Sequence, residues 1–324
     1  MPASAERPAA PRILVIRGGA IGDFVLTLPV LSALRARFPQ CQLTLLGYPH
    51  IAGLALAGGL VDDLRPIESR ALAGFFAEGG QLDEALAGYF GGCSLILSYL
   101  YDPDRIFERN VGRCTRAQFV AGRHRPSEAA GRHATAVFLE PLQRLAIFGT
   151  DPVPRLDLAV SGDQPGREQM PGCVALHPGS GSERKNWPES NWAQLLEQVL
   201  AAGAISVTLV GGEAEGDRLD RLAAGHSPTR VRVARSLPLV ELARVLARCV
   251  AFVGHDSGIT HLAAALGLPA LVLWGPSQEN VWRPQGEGIV LLRAADGLER
   301  LSVSTVVHGL LELLSTCQQG PDAK

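Results

Sequence analysis

The chain has 324 residues, with 47% hydrophobic and 19% charged side chains and a formal net charge of −2. That length suits two domains of ordinary size, the composition is that of a soluble globular protein, and the near-neutral balance excludes a global basic field for nucleic acid. Six scattered cysteines without a C-x-x-C pair argue against a zinc or redox motif and suit a reducing cytosol.

Residues 1–11 are rich in Ala and Pro and carry Glu6 and Arg7 where a signal peptide needs an apolar core, so they read as an unstructured leader. The first half then opens with an apolar strand at 13–16, a small-residue turn from Arg17 to Gly22, and a helix predicted from about Asp23 to Phe38. Further strands are expected at 42–46, 94–98 and 117–120. Residues 161–172 are polar, rich in Gly and Pro and without apolar period, which marks a linker. The second half repeats the opening: a strand at 174–176, a loop containing Lys185, and a helix from about 189 to 202. Strands follow at 206–210, 231–233, 251–253 and 270–273, and a last helical stretch at 303–315 could fold back across both halves. The longest apolar run, 262–274, is interrupted by Gly267 and Pro269 and is too short to span a bilayer. Apolar strands without alternation, separated by helices, imply parallel sheets covered on both faces. The expectation is an α/β protein of two Rossmann-like doubly wound domains, 12–160 and 173–316, facing a cleft that takes ligands at the carboxyl ends of the strands.

Lys185 is singled out by composition, because the 30 basic residues include two lysines, Lys185 and Lys324, and are otherwise arginine. A lysine is a compact, rotatable point charge rather than a planar fork. The loop around it, His177-Pro178-Gly179-Ser180-Gly181-Ser182-Glu183-Arg184-Lys185, offers small residues whose amides approach an anion closely. A solvated surface lysine is the plain alternative, and the loop favours the phosphate reading. Gly18-Gly19-Ala20-Ile21-Gly22 fails the dinucleotide spacing, and the second strand ends in Gly47-Tyr48-Pro49-His50 without an acid for a ribose, so an NAD site is not expected. Asp23 reads either as a helix N-cap or as a carboxylate at the cleft edge serving as general base. In Gly211-Gly212-Glu213-Ala214-Glu215 an acid just past a strand is placed for sugar or ribose hydroxyls, and equally for the dipole of a helix starting at Ala214.

Gly254-His255-Asp256-Ser257-Gly258-Ile259-Thr260-His261 follows a buried strand and opens an apolar helix. Gly258 permits close approach, and amides at Ser257 to Thr260 fit a diphosphate at a helix start. Asp256 lies beside that pole, whereas a lone His261 one turn in suits packing more than catalysis. Between Arg105 and Arg132 stand seven arginines against two acids. Arg105, Arg109, Arg113 and Arg116 share one face if the segment is helical, either a solvated basic surface or a dock for carboxylate or phosphate. Arg123, His124 and Arg125, in a loop after a strand, are the better-placed set.

Four blocks, taken in order, resemble the family-nine glycosyltransferases, the ADP-heptose:lipopolysaccharide heptosyltransferases. They are Arg17 to Asp23 with Thr27-Leu28-Pro29, His177-Pro178-Gly179-Ser180 with Lys185-Asn186-Trp187-Pro188, Gly211-Gly212-Glu213, and Asp256 through Ala265. The resemblance runs from about 13 to 274. It implies a GT-B fold whose C-terminal domain holds a nucleotide sugar, and inverting transfer of heptose from an ADP-heptose to a lipopolysaccharide-core acceptor without metal or cofactor. By position it makes Asp23 the base and Lys185 the cation on the donor phosphates, with Ser180, Gly181 and Ser182 in the same loop. Glu213 becomes an acid on the nucleotide and Asp256 one near the donor sugar. Ser257, Gly258 and Ile259 form the diphosphate turn, followed by Thr260 and His261. His255 departs from the pattern, which has a smaller or amide residue there. An anionic glycolipid or saccharide acceptor is implied, reached through Arg105, Arg109, Arg123 or Arg125, with cytoplasmic action at the inner-leaflet surface and no nucleic-acid partner. Two other readings stay open: a nucleotide-sugar epimerase of similar architecture, and a non-catalytic nucleotide-sugar-binding protein, against which Asp23, Lys185 and Asp256 together argue.

Overall fold

The computed structural model describes residues 10–158, 172–181, 185–294 and 297–318. Its strands form two sheets, both parallel throughout. The first contains β1 (Arg12–Arg17), β2 (Gln42–Gly47), β3 (Asp63–Pro66), β4 (Leu95–Ser98) and β5 (Gln118–Ala121), in the order β3-β2-β1-β4-β5. The second contains β6 (Cys173–His177), β7 (Ser206–Gly211), β8 (Val231–Arg235), β9 (Ala251–His255), β10 (Ala270–Leu273) and β11 (Ile289–Leu292), in the order β11-β10-β9-β6-β7-β8. Each sheet reverses its winding once, between β1 and β4 in the first and between β6 and β9 in the second. Such a reversal parts the connecting loops at the carboxyl ends of the two strands and leaves a crevice.

The unbroken apolar character of the central strands follows from cover on both faces. Leu14, Ile16 and Ile96 face one cluster with Phe75, Phe90 and Phe107, and Val174, Leu176 and Val253 face another with Trp187, Trp192 and Leu310. The opposite faces of both sheets share a single cluster: Val15, Leu45 and Leu97 of the first belong with Phe252, Leu262 and Val272 of the second. The two halves are therefore joined by a continuous apolar core, and separating them would expose it to water.

Several expectations need correction. The helix expected from Asp23 to Phe38 is two helices, Ile21–Val25 and Leu28–Arg37, because Pro29 has no N–H to continue the ladder and can sit only in a first turn. β3 and β11 lie at sheet edges and were not foreseen. β3 reads Asp63-Leu64-Arg65-Pro66, half exposed, with a proline that only an edge tolerates. The helix expected from Ala214 is a short 3-10 turn, Glu213–Glu215, and the true helix is Arg218–Ala223. The final helix, Val303–Gln318, buries Val306, Leu310 and Leu313 in the second half's outer cluster, so its apolar face packs within that half rather than across both. The linker at 161–172 lies outside the described residues apart from Gly172.

Candidate active site

The loops after β6 and β9 meet at the second sheet's crevice. Lys185 reaches across it, and its Nζ donates to Asp256 Oδ2 at 2.8 Å. Asp256 is 8% exposed, so this pair is held mostly out of water and its attraction is screened weakly. His255, fully buried, grips the same loop from below. Its Nε2 accepts the Trp187 N–H at 2.8 Å, which leaves Nδ1 as the proton-bearing nitrogen, 3.2 Å from the Gly179 carbonyl. Burial pushes His255 down to about 4 and His177 to about 3, and both stay neutral. Ser180 donates to Asn186 Oδ1 at 2.7 Å, while Gly181 is exposed with φ of +69° and Ser182 lies outside the described residues.

Ser257 is the N-cap of the helix Gly258–Ala265, its hydroxyl accepting the Thr260 N–H at 3.3 Å. Ile259 is half-buried against the shared core, and Thr260 is buried, its hydroxyl donating to the His255 carbonyl. The first-turn amides not taken by the cap form a positive pole beside the Lys185–Asp256 pair. Two acids follow β7 in the 3-10 turn Glu213–Glu215. Glu213 is exposed, whereas Glu215 is 8% exposed, accepts the Gly212 N–H and lies so close that a Cβ at Gly179 would strike its carboxylate. Both acids were visible in the sequence, and only the 3-10 turn decides which one points inward.

Across the cleft, β1 ends at Arg17, buried at 3% exposure. Its guanidinium donates to the His124 carbonyl at 2.8 Å and the Asp23 carbonyl at 3.0 Å, and lies 4.4 Å from the Phe138 ring centroid. Asp23 is not the cap that one reading made it. Ala20 holds the N-cap position, and the Asp23 carboxylate stands 3.9 Å from Arg17 Nη2 with its side chain 27% exposed. Arg17 is the main site residue not given a role from sequence, although it stands in the first motif block.

The two sides touch at glycine. A Cβ on Gly258 would lie 2.8 Å from Ile21 Cβ and 2.9 Å from the Gly22 nitrogen, so backbone meets backbone there. His261 closes the contact from below, its Cδ2 3.3 Å from where a Gly22 Cβ would be, which makes it a buried interface residue. Asp23, one residue beyond Gly22, and Asp256, two before Gly258, are thereby brought to the same junction. Further out, a cavity of about 580 Å³ opens between the halves, lined by His133, Gln278, Glu279, Asn280, Arg283 and Arg293. Hydrogen bonds close its rim: His133 Nε2 to the Arg283 carbonyl at 2.8 Å, Asn280 Nδ2 to the Gly131 carbonyl at 3.1 Å and Trp282 Nε1 to Glu128 at 2.9 Å.

The arginine cluster does not form the helical face that its spacing suggested. The helix is only Ile106–Gly112, and Arg105 precedes it in a left-handed conformation. Arg105 pairs with Glu108 at 2.6 Å, and Arg109 donates to the Asp104 carbonyl at 2.6 Å and lies 3.7 Å from Glu78. Arg125 sits over the Trp282 ring at 5.5 Å and lies 3.7 Å from Glu128, and Arg123 is exposed two residues before it.

Two doubly wound domains, meeting at a crevice with a cationic loop and a helix pole on one side and a carboxylate on the other, define the GT-B class. The chain belongs to glycosyltransferase family 9, the heptosyltransferases, whose family model matches residues 127–302. It is similar to lipopolysaccharide heptosyltransferase 1 of Pseudomonas aeruginosa, 41% identical over 122 residues, 38% of this chain and 34% of that protein. The chain thus spans only 34% to 44% of the length of the curated relatives it matches first. Its fold is that of Escherichia coli ADP-heptose lipopolysaccharide heptosyltransferase II, with a TM-score of 0.76 at 18% identity, covering 95% of this chain and 100% of that one. An E. coli heptosyltransferase solved with ADP-2-deoxy-2-fluoro heptose aligns with a TM-score of 0.68 at 20% identity, over 93% and 99% of the two chains. Among the described residues no helix is long and apolar enough to cross a membrane, and no three His, Cys, Asp or Glu side chains cluster as metal ligands would.

Proposed function

We propose that this protein transfers a heptose from ADP-heptose to a lipopolysaccharide-core acceptor, with inversion and without a metal, at the cytoplasmic face of the membrane. The observation that carries this reading is the Gly22–Gly258 junction, which sets Asp23 of one half beside the Lys185–Asp256 pair and helix pole of the other. The family and the relatives' names support the sugar, and the neighbour solved with an ADP-heptose analogue supports the nucleotide.

The chemistry follows from the charges. The acceptor hydroxyl attacks the anomeric carbon from the Asp23 side, and the bond from that carbon to the diphosphate breaks with its electron pair leaving on ADP. Lys185 and the amides at Gly258 and Ile259 meet the charge that develops there, in a partly desolvated crevice where such contacts are strong. Asp256 keeps the ammonium in place. A carboxylate is a weak base for a ground-state hydroxyl, but the hydroxyl becomes acidic as the new bond forms, so the proton passes late to Asp23. Glu213 is the exposed acid for the nucleotide's hydroxyls, with Glu215 buried behind it against Gly212, and Arg123 and Arg125 serve an acidic acceptor entering beside the interdomain cavity.

Mass-spectrometric assay of ADP-heptose with a heptose-free lipopolysaccharide-core acceptor, with EDTA present, tests the reading. Acceptor-dependent gain of one heptose and release of ADP is the expected result. Donor consumption without acceptor would favour an epimerase, and a strict need for added magnesium or manganese would remove the metal-free mechanism.

A further inference from the structure

We propose that His255 is a positioning residue that clamps the two ends of the Lys185 loop, at Gly179 and Trp187, and so sets where Lys185 stands, through the backbone rather than through the ligand. This rests on the donor-site reading above. β9 and the residue after it take hold of the loop at three points. His255 Nδ1 holds the Gly179 carbonyl at 3.2 Å, His255 Nε2 holds the Trp187 N–H at 2.8 Å, and Asp256 holds Lys185 Nζ at 2.8 Å.

The first two contacts lie on either side of the lysine. Gly179 is at the loop's outgoing end just after β6, and Trp187 is at its returning end, just before the helix Glu189–Ala201. Both are buried, so an unpartnered carbonyl or N–H there would carry the full cost of desolvation. A neutral imidazole presents one donor and one acceptor on opposite flanks of a rigid ring, which is what a carbonyl on one side and an N–H on the other require. The ring is fixed in turn by the edge of Trp192, 5.4 Å away between centroids, and Trp192 stacks edgewise on Trp187. Trp187 Nε1 is itself anchored to the Leu301 carbonyl at 2.9 Å. The span from 179 to 187 is thus closed at its base by one side chain, and Lys185, two residues before Trp187, inherits that position. Without the clamp, Asp256 would hold a lysine on a loop free to drift.

The amide variants separate the two contacts. His255→Asn keeps a donor near the Nδ1 position, His255→Gln keeps an acceptor near the Nε2 position, and His255→Phe keeps the ring and neither contact. Because the chain has two lysines, reductive ¹³C-methylation, which preserves the charge, gives a Lys185 signal that NMR can follow. It is assigned by its loss in Lys185→Arg. The wild-type signal should stand apart from that of Lys324 and move in Asp256→Asn. In His255→Phe it should collapse toward Lys324, and ADP affinity should fall about tenfold or more, the effect of one well-placed hydrogen bond. His255→Gln should recover more of both than His255→Asn, since Trp187 is the contact nearer the lysine. Should His255→Phe fail to fold, the two amide variants carry the comparison. A Lys185 signal and ADP affinity unchanged in the folded variants would overturn the clamp. Wild-type protein that does not bind ADP would sink the donor-site reading instead, and the NMR comparison would still decide the clamp.

Discussion

Arg17 holds Asp23 by its backbone: the guanidinium donates to the Asp23 carbonyl at 3.0 Å, while the carboxylate itself stays 3.9 Å away. The same guanidinium holds the His124 carbonyl at 2.8 Å, so one buried cation sets the turn carrying the proposed base and the loop carrying Arg123 and Arg125. Arg17→Met should therefore lower turnover by about two orders of magnitude, as small misplacement of reacting groups does, with ADP affinity little changed. It should also destabilise the protein by about 1.5–3 kcal/mol for each charged hydrogen bond lost. Steady-state kinetics beside denaturant melts check this. A variant that loses donor affinity and keeps turnover would assign Arg17 elsewhere.

Asp23→Asn preserves the shape of the turn and removes the basic group. Turnover should fall by roughly two or more orders of magnitude with ADP affinity near wild type, because Asp23 belongs to the half opposite Lys185. Near-normal turnover would leave Asp23 without a catalytic role.

Lys185→Ala should weaken ADP binding and slow transfer, and Lys185→Arg should restore neither fully. The lysine donates to a nearly buried carboxylate at 2.8 Å, and a planar fork occupies more volume there. Calorimetric titration with ADP measures the first effect. Full rescue by arginine would show that compact charge is not what the site selects.

Gly258→Ala places a methyl 2.8 Å from Ile21 Cβ and 2.9 Å from a backbone nitrogen, neither of which swings aside cheaply. It should cost about 1–3 kcal/mol of stability and reduce transfer. Gly22→Ala meets nothing nearer than His261 Cδ2 at 3.3 Å and the Gly258 Cα at 3.5 Å, and should be milder. Equal effects in thermal melts and activity would argue against a backbone junction.

Acid should destabilise the fold early. His177 and His255 are pushed by burial down to about 3 and about 4, and burial lowers His261 and His133 as well. In the unfolded chain they titrate near pH 6.5, so below that pH the unfolded state binds more protons. Stability is complete above about pH 6.5 and declines toward the folded values, at up to about 1.4 kcal/mol per pH unit for each histidine. Melting temperature measured from pH 7.5 to 5 should fall, and His255→Asn should shallow the slope. A flat profile would mean that these rings take up protons in the fold as readily as in the unfolded chain.

The central strands were legible in the sequence because β1, β6 and β9 are buried on both faces and read as unbroken apolar runs. Of the four edge strands β5 and β8 were still legible, whereas β3, with Asp63 and Pro66, resembles a loop until β2 supplies its hydrogen bonds. Asp23, Lys185 and Asp256 stood out by type and spacing. That Glu213 stays exposed while Glu215 turns inward depends on a 3-10 turn, which has no hydrophobic period. Arg17 and His255 stayed hidden for another reason: their partners are backbone groups up to 107 residues away in the chain, and backbone groups have no sequence signature.

The glycine junction also constrains how the molecule can move. Where two backbones already touch, the halves cannot come closer at that point, and a relative motion that kept the contact would be a rotation about it. Displacement in a rotation grows with distance from its axis, so the groups beside the fulcrum keep their spacing while the far rim travels most. The rim bonds of His133 to Arg283, Asn280 to Gly131 and Trp282 to Glu128 join the halves a second time, so such a rotation would have to break them.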